Sequence, residues 1–138
     1  MAKNKLEEST QRFVEGVDTT CATTGQIERV AVIGSGVMGA GIAAHCANAG
    51  CEVLLLDIIP KGNQGVHDRD VLAKGAVANI LNSNPEMLMH KSFAKRIITG
   101  NIEDDLSRLK EFAWVIEVSI EDLEIKKNLY GRLAGNLG

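Results

Sequence analysis

The glycine pattern at residues 34–39 has the clearest chemical meaning in this chain. It reads G-x-G-x-x-G through Gly34, Gly36 and Gly39, and it follows an apolar run at residues 30–33. Between a strand and a helix, the first glycine makes a tight turn, the second lets the backbone approach a pyrophosphate, and the third permits close helix packing. The phosphates then face free N–H groups at the positive end of the helix dipole. The pattern therefore predicts a dinucleotide site.

An acidic residue at the expected distance supports this prediction. Asp57 follows a second apolar run, residues 53–56, about 20 residues beyond the glycines as the fingerprint requires. A carboxylate at this point accepts hydrogen bonds from ribose hydroxyls and repels a 2′-phosphate, which favours NAD over NADP. The positive charge of the nearby Lys61 weakens this argument against NADP. An exposed carboxylate that only caps a loop is the alternative interpretation of Asp57.

Three other nucleotide-binding classes compete for the same glycines. Methyltransferases that bind S-adenosylmethionine usually carry an acidic residue two positions before the first glycine, where this chain has Val32. A P-loop requires G-K-[ST] after its glycines, and the sequence contains no such motif. An FAD protein shares both the glycines and the acid, so the sequence excludes FAD less cleanly.

Composition indicates the class of protein and its compartment. The chain has 138 residues, of which 45% are hydrophobic and 24% charged, with a net charge of −3 and a pI near 5.6. These values fit one ordinary globular domain and do not indicate binding to nucleic acid or to a membrane. The cysteines, Cys21, Cys46 and Cys51, lack C-x-x-C spacing, and the histidines show no metal-ligand spacing. We therefore expect a cytoplasmic protein with reduced thiols and no metal site.

The order of apolar runs and breaks predicts an α/β fold of the Rossmann type. Residues 1–26 are expected to form a polar tail or linker, and residues 27–138 the dinucleotide-binding domain. Besides the strands at 30–33 and 53–56, apolar periodicity predicts strands at 96–99 and 112–118 and helices at 37–48, 70–81, 86–94, 104–110 and 122–133. Gly100 and Asn101 should stop the third strand after Thr99. The methionine-rich segment 87–89 should lie in the core.

These four strands are expected to form a doubly wound parallel sheet. Right-handed crossovers give the strand order 3-2-1-4. Such sheets normally continue beyond the fourth strand, so the domain should be truncated, with a bare outer edge. A second copy of the chain, a partner chain or the rest of a longer protein would cover this edge.

Several blocks of the sequence resemble the NAD-binding domain of 3-hydroxyacyl-CoA dehydrogenases of fatty-acid β-oxidation. The resemblance extends over about residues 27–133 and rests on segments 32–45, 54–57, 72–76, 100–106 and 114–126. The last segment is more discriminating than the glycines, because Rossmann domains in general do not share it. The similarity is closest to the bacterial branch, in which this domain opens a longer dehydrogenase. Ser119 departs from the pattern, since it replaces an apolar residue of the fourth strand.

The resemblance implies which residues meet the adenosine half and the pyrophosphate of NAD. The backbone around Val37 and Met38 would contact the pyrophosphate, and Asp57 would bind the adenosine ribose. These positions agree with the general rule that ligands of open α/β sheets bind at the carboxyl ends of the strands, where the strand order reverses.

The resemblance also places three residues after the fourth strand in the cofactor site. Ile120 and Glu121 would lie beside the nicotinamide half, and Lys126, on the following helix, would reach the cofactor too. Each charged residue has a simpler interpretation. Glu121 would satisfy N–H groups at a helix N-terminus, and Lys126 would be a solvated surface charge.

The reaction implied by the resemblance needs residues that this chain does not contain. In the family, hydride moves between C3 of a 3-hydroxyacyl-CoA and the nicotinamide, with a histidine, paired with a glutamate, as general base. That pair and the helical substrate domain come later in the family pattern, and we do not assign His45 as the base. We expect the N-terminal portion of an NAD-dependent 3-hydroxyacyl-CoA dehydrogenase, without catalytic residues, that cannot turn over an acyl-CoA alone. The alternative is a non-catalytic dinucleotide-binding module that associates with another chain.

Overall fold

The computed structural model describes residues 27–61, 68–119 and 122–137. The predicted tail at residues 1–26 lies outside the described residues. Strands and helices alternate along the described chain, which also contains two 3-10 helices, Lys91–Arg96 and Leu106–Glu111. The other elements are β1 (Arg29–Ile33), α1 (Val37–Asn48), β2 (Glu52–Asp57), α2 (Val71–Leu81), β3 (Ile97–Asn101), α3 (Ile102–Asp105), β4 (Trp114–Glu117) and α4 (Leu123–Ala134).

The four strands form one parallel sheet of order β3-β2-β1-β4, which confirms the predicted Rossmann-type topology. The chain moves outward from β1 to β3 and then returns to the other side of β1 to form β4. Ile33, the last residue of β1, pairs with Leu56 of β2 and with Glu117 of β4. The carboxyl ends of these three strands therefore meet where the strand order reverses, which is where such sheets bind ligands.

The sheet is packed on both faces, which explains why its inner strands are continuous apolar runs. On one face, Val30 and Val32 belong to a core with α1 and α2. On the other face, Ala31 and Ile33 belong to a core with α4 and residues 102–112. The buried face of α1 consists of small residues, so the helix can lie close to the sheet. The two cores fix β1 and α1, and with them the loop that joins these elements.

The segment before β3 differs from its prediction. Instead of a helix at 86–94, the chain bends and then forms the 3-10 helix Lys91–Arg96, which is capped by the His90 side chain. Leu88 is only 5% exposed, whereas Met89 is 82% exposed. The methionine-rich segment therefore enters the core only in part, because successive side chains of an irregular segment do not share one helix face.

The predicted end of β3 is also wrong. The strand continues through Gly100 and Asn101. Asn101 is buried, and its side-chain amide donates to Asp70 at 2.7 Å and to Asp104 at 2.9 Å. A buried amide is tolerated in the strand because its hydrogen bonds are satisfied.

The remaining elements agree with their predictions to different degrees. Helix α1 has the predicted bounds, and α2 and α4 begin one residue later than predicted. The predicted helix at 104–110 is instead the short α3 followed by a 3-10 helix. Strand β4 is shorter than the predicted 112–118. The errors concern short elements, where few residues carry the periodic signal.

No helix in the described parts of the chain is long and apolar enough to cross a membrane. In the same parts, histidine, cysteine and acidic side chains form no group that could hold a metal ion. Cys46 and Cys51 are half-buried free thiols. Burial and the neighbouring Cys51 raise the pKa of Cys46, so this thiol is a weak nucleophile at neutral pH.

Candidate cofactor-binding site at the carboxyl edge of the sheet

Gly34 turns the chain out of β1 at the point where three strands meet. Its φ is +107°, a conformation that residues with side chains rarely adopt. Its N–H donates to the Leu56 carbonyl at 2.8 Å. A Cβ atom here would lie 2.7 Å from the carbonyl oxygen of Val118. Both conformation and space therefore require glycine, in agreement with the turn that the pattern assigns to this position.

The N-terminus of α1 is open. Gly36 is its N-cap, no described side chain caps the helix, and the first turn contains no acidic residue. A Cβ atom on Gly36 would meet no described atom within 4 Å, whereas a Cβ atom on Gly39 would overlap the Gly34 carbonyl oxygen. The backbone N–H groups of the first turn have no partner within the helix, and they lie at the positive end of its dipole. This arrangement fits a pyrophosphate, because nothing in the described chain fills the space over Gly36.

Large apolar side chains stand beside the open helix end. Val37 is 95% exposed and Met38 is 68% exposed. Ile58, directly after β2, is 49% exposed. Binding of a molecule that covers these side chains would be stabilised by about 25 cal/mol for each Å² of apolar surface removed from water. The candidate site thus combines anion-binding backbone with apolar contact surface.

Asp57 ends β2 and contacts the glycine loop. One carboxylate oxygen accepts the backbone N–H of Ser35 at 2.8 Å and also accepts the Ser35 hydroxyl. The other oxygen accepts the backbone N–H of Ile58 at 2.7 Å. Asp57 is half-buried, and a carboxylate has about four acceptor sites. It can therefore hold the loop and still accept hydroxyl groups from a ligand.

A second acid, Glu117, ends β4 and has three partners. One carboxylate oxygen accepts the Ser119 backbone N–H at 2.6 Å and also the Ser119 hydroxyl. The other accepts the Tyr130 hydroxyl at 2.9 Å and lies 3.7 Å from the Lys126 Nζ. Burial acts to raise the pKa of Glu117, but hydrogen bonds from Ser119 and Tyr130 and the charge of Lys126 outweigh it, and the pKa lies below its ordinary value. Glu117 is therefore ionised at neutral pH.

Three residues after β4 were predicted to contact the cofactor, and the structure describes one of them. Ile120 and Glu121 lie outside the described residues. Lys126 lies on α4 and contacts Glu117, so it is not simply a solvated charge. Asp122 is the N-cap of α4, and its side chain accepts two backbone N–H groups of the first turn, at 3.0 and 3.1 Å. Asp122 therefore caps α4.

Sequence reasoning missed Ser35, Glu117 and Tyr130. Ser35 occupies a variable position of the glycine pattern, so nothing in the pattern marks its side chain. Glu117 carries a usable signal, because it ends an apolar strand as Asp57 does. Tyr130 lies four residues after Lys126 on α4, a spacing that places both side chains on one helix face.

The described histidines lie away from this site. His45 is in the last turn of α1, about 13 Å along the helix from Gly36 at 1.5 Å per residue. His90 precedes the 3-10 helix that leads into β3, so it lies near the amino end of that strand. His67 lies outside the described residues. Neither His45 nor His90 adjoins the carboxyl edge of the sheet.

The fold and the site define a Rossmann-type dinucleotide-binding domain. A family model described as 3-hydroxyacyl-CoA dehydrogenase, NAD binding domain, matches residues 29–137. The chain belongs to this family. The resemblance seen in the sequence and the predicted cofactor, NAD, are thereby confirmed.

The chain is similar to dehydrogenases that are much longer. A probable 3-hydroxyacyl-CoA dehydrogenase of Deinococcus radiodurans is 46% identical over 108 residues, which are 78% of this chain and 30% of that protein. One of Bacillus subtilis is 43% identical over 117 residues, which cover 75% of this chain and 15% of that protein. The crystal structure of an Escherichia coli 3-hydroxybutyryl-CoA dehydrogenase matches with 34% identity and a TM-score of 0.61, covering 83% of this chain and 23% of that one. The chain thus spans less than a third of the length of each.

Proposed function

We propose that this chain binds NAD with the pyrophosphate over the open N-terminus of α1. The backbone of Gly36, Val37 and Met38 would contact the phosphates, and Asp57 would accept the hydroxyls of the adenosine ribose. The observation that carries this proposal is the juxtaposition of an uncapped helix end with a carboxylate that is hydrogen-bonded to the adjoining loop. Backbone N–H groups suit phosphate, and a carboxylate suits a ribose diol.

For the other half of the cofactor, we propose contacts from Ile120, Glu121 and Lys126. The support for Lys126 is its ion pair with Glu117 at the carboxyl end of β4, next to β1 in the sheet. For Ile120 and Glu121 the support is their position in the sequence, three and four residues after the end of this strand, and the family to which the chain belongs. Ligands of such sheets lie along the carboxyl edge near the reversal of strand order.

We further propose that the whole protein oxidises a 3-hydroxyacyl-CoA to a 3-oxoacyl-CoA in fatty-acid β-oxidation, with this chain as its NAD-binding part. NAD supplies the hydride acceptor for that reaction. The chain's own residues would bind and orient the cofactor, while the acyl-CoA would be bound in the full-length enzyme. The half-buried free thiols Cys46 and Cys51 support a reducing, cytoplasmic location.

Calorimetric titration of the 138-residue chain with NAD, NADP and FAD tests this proposal. We expect saturable binding of NAD, weaker binding of NADP because Asp57 repels a 2′-phosphate, and no binding of FAD. Preferential binding of FAD, or no binding of NAD to the folded chain, would overturn the proposed function.

A second candidate function is that of a non-catalytic module that binds a dinucleotide and associates with another chain. Two observations on β4 favour it. Within the described chain β4 pairs with β1 alone, and Trp114 at its start is 52% exposed. Light scattering tests it, because association predicts a mass above that of the monomer. A monomer at all concentrations would count against self-association, and the partner would then have to be a different chain.

A further inference from the structure

Glu117 joins the end of β4 to one face of α4. One carboxylate oxygen accepts the backbone N–H and the hydroxyl of Ser119. The other accepts the Tyr130 hydroxyl and lies close to the Lys126 ammonium group. Lys126 and Tyr130 are four residues apart, so they project from the same helix face. A single carboxylate therefore links the end of β4 to Ser119 and to two side chains of α4.

The ion pair between Glu117 and Lys126 is partly buried. The Glu117 side chain is 11% exposed and that of Lys126 is 28% exposed. Pairs at a fully exposed surface are screened and their long side chains stay mobile. Here hydrogen bonds from Ser119 and Tyr130 hold the acid independently of the lysine. The carboxylate is thus a preformed anchor for the Lys126 ammonium group.

We propose that Glu117 is a positioning residue that holds Lys126 at the carboxyl edge of the sheet, ready to contact the cofactor. This inference rests on the proposed role of Lys126 in binding NAD. Without the acid, the lysine side chain would sample many rotamers, and ordering it would oppose binding. Ser119 contributes to this anchor, because its backbone N–H and its hydroxyl both donate to Glu117.

A double-mutant cycle with NAD affinity as the readout tests the inference. Calorimetry would compare the wild-type chain with Glu117→Gln, Lys126→Met and the double variant. We expect each single substitution to weaken NAD binding by about threefold to tenfold, the range expected for one ordered side chain. The double variant should bind no more weakly than Lys126→Met, because Glu117 acts only through the lysine. Losses that multiply in the double variant, or an unchanged affinity for Glu117→Gln, would overturn the inference.

Lys127→Met is the matched control for the loss of a positive charge from α4. Lys127 lies next to Lys126 on the helix but pairs with Glu124 instead of Glu117, and its side chain is 65% exposed. NAD affinity in this variant should therefore stay within about twofold of wild type, well under the cost of a lost ordered charge. Thermal unfolding of each variant separates affinity from stability. A loss of affinity in Lys127→Met equal to that in Lys126→Met would show that only the charge of the helix matters, and would overturn the inference.

Two further measurements keep the outcomes distinct. If Glu117→Gln does not fold, Glu117→Asp replaces it, and this variant should keep most of the affinity because the negative charge remains. A loss in Glu117→Asp as large as that in Lys126→Met would overturn the inference. Unchanged affinity in Lys126→Met would overturn both the inference and the lysine contact. Asp57→Ala would still report on the proposed NAD site as a whole.

Discussion

The Asp57 carboxylate accepts hydrogen bonds from both the backbone N–H and the hydroxyl of Ser35, the first at 2.8 Å. The acid that ends β2 therefore also restrains the glycine loop that leaves β1. The carboxylate that we propose to bind the ribose and the loop that we propose to bind the phosphates are thus held in one fixed relation. Substitution of Asp57 or Ser35 should therefore change the affinity for the cofactor.

Asp57→Ala should weaken NAD binding by about 1–3 kcal/mol, the scale of a lost charged hydrogen bond. The reason is the loss of the acceptor proposed for the ribose hydroxyls, together with looser restraint of Ser35. Calorimetry measures the change. Ser35→Ala is the matched control, because it removes only the hydroxyl donor and keeps the carboxylate, and its effect should be smaller. Unchanged NAD affinity in Asp57→Ala would refute the ribose role.

Gly36→Ala should leave the fold intact and impair NAD binding. The backbone at Gly36 has φ −65° and ψ −170°, which alanine adopts readily, and its Cβ would meet no described atom within 4 Å. The added methyl group would instead occupy the space over the helix N-terminus that the pyrophosphate needs. Circular dichroism should show an unchanged unfolding midpoint, and calorimetry a loss of at least about 1.4 kcal/mol, or tenfold. Full NAD affinity would contradict the proposed position of the phosphates.

Gly39→Ala should destabilise the fold, in contrast to Gly36→Ala. Its Cβ would overlap the backbone carbonyl of Gly34, and neither main-chain segment can move without disturbing the packing of α1 on β1. Overpacking of this kind costs about 1–3 kcal/mol or more. Urea unfolding measures the free energy of unfolding. Wild-type stability in this variant would show that the helix can shift away from the strand freely.

The stability of the chain should depend on pH through Glu117. The folded-state pKa of this residue lies below its ordinary value, so folding favours the ionised carboxylate. Its contribution is complete above the ordinary glutamate pKa of about 4.3 and is lost as the pH falls through the lower folded-state pKa. Urea unfolding should show wild type more stable than Glu117→Gln at neutral pH, with the gap closing below about pH 4. A gap that is independent of pH would exclude this linkage.

The 138-residue chain should not form NADH from 3-hydroxybutyryl-CoA. Of its three histidines, His45 and His90 lie away from the carboxyl edge of the sheet, and proton abstraction requires a base within hydrogen-bond reach of the hydroxyl. Absorbance at the NADH band measures turnover. A steady increase from the purified chain would show that it contains a functional base.

Much of the fold follows from local sequence patterns. The apolar runs that become β1 and β2 are long and unbroken, and the bounds of α1 follow from Gly36 before it and Gly50 after it, so these elements are predicted well. The region before β3 is predicted badly, because its apolar residues fit a helix while their burial depends on packing against α1. Leu88 and Met89 have similar hydrophobicity, yet only Leu88 is buried.

Residue type and spacing along the chain are enough to predict the strand order of the sheet, the glycine loop, the acid at the end of β2 and the family. The contact of Asp57 with Ser35, and those of Glu117 with Ser119, Lys126 and Tyr130, are visible only in the folded chain. Apart from the Glu117–Ser119 contact, which is local, these contacts join separate parts of the fold. Their existence depends on the angle and register at which the elements pack, which no local pattern of side chains encodes.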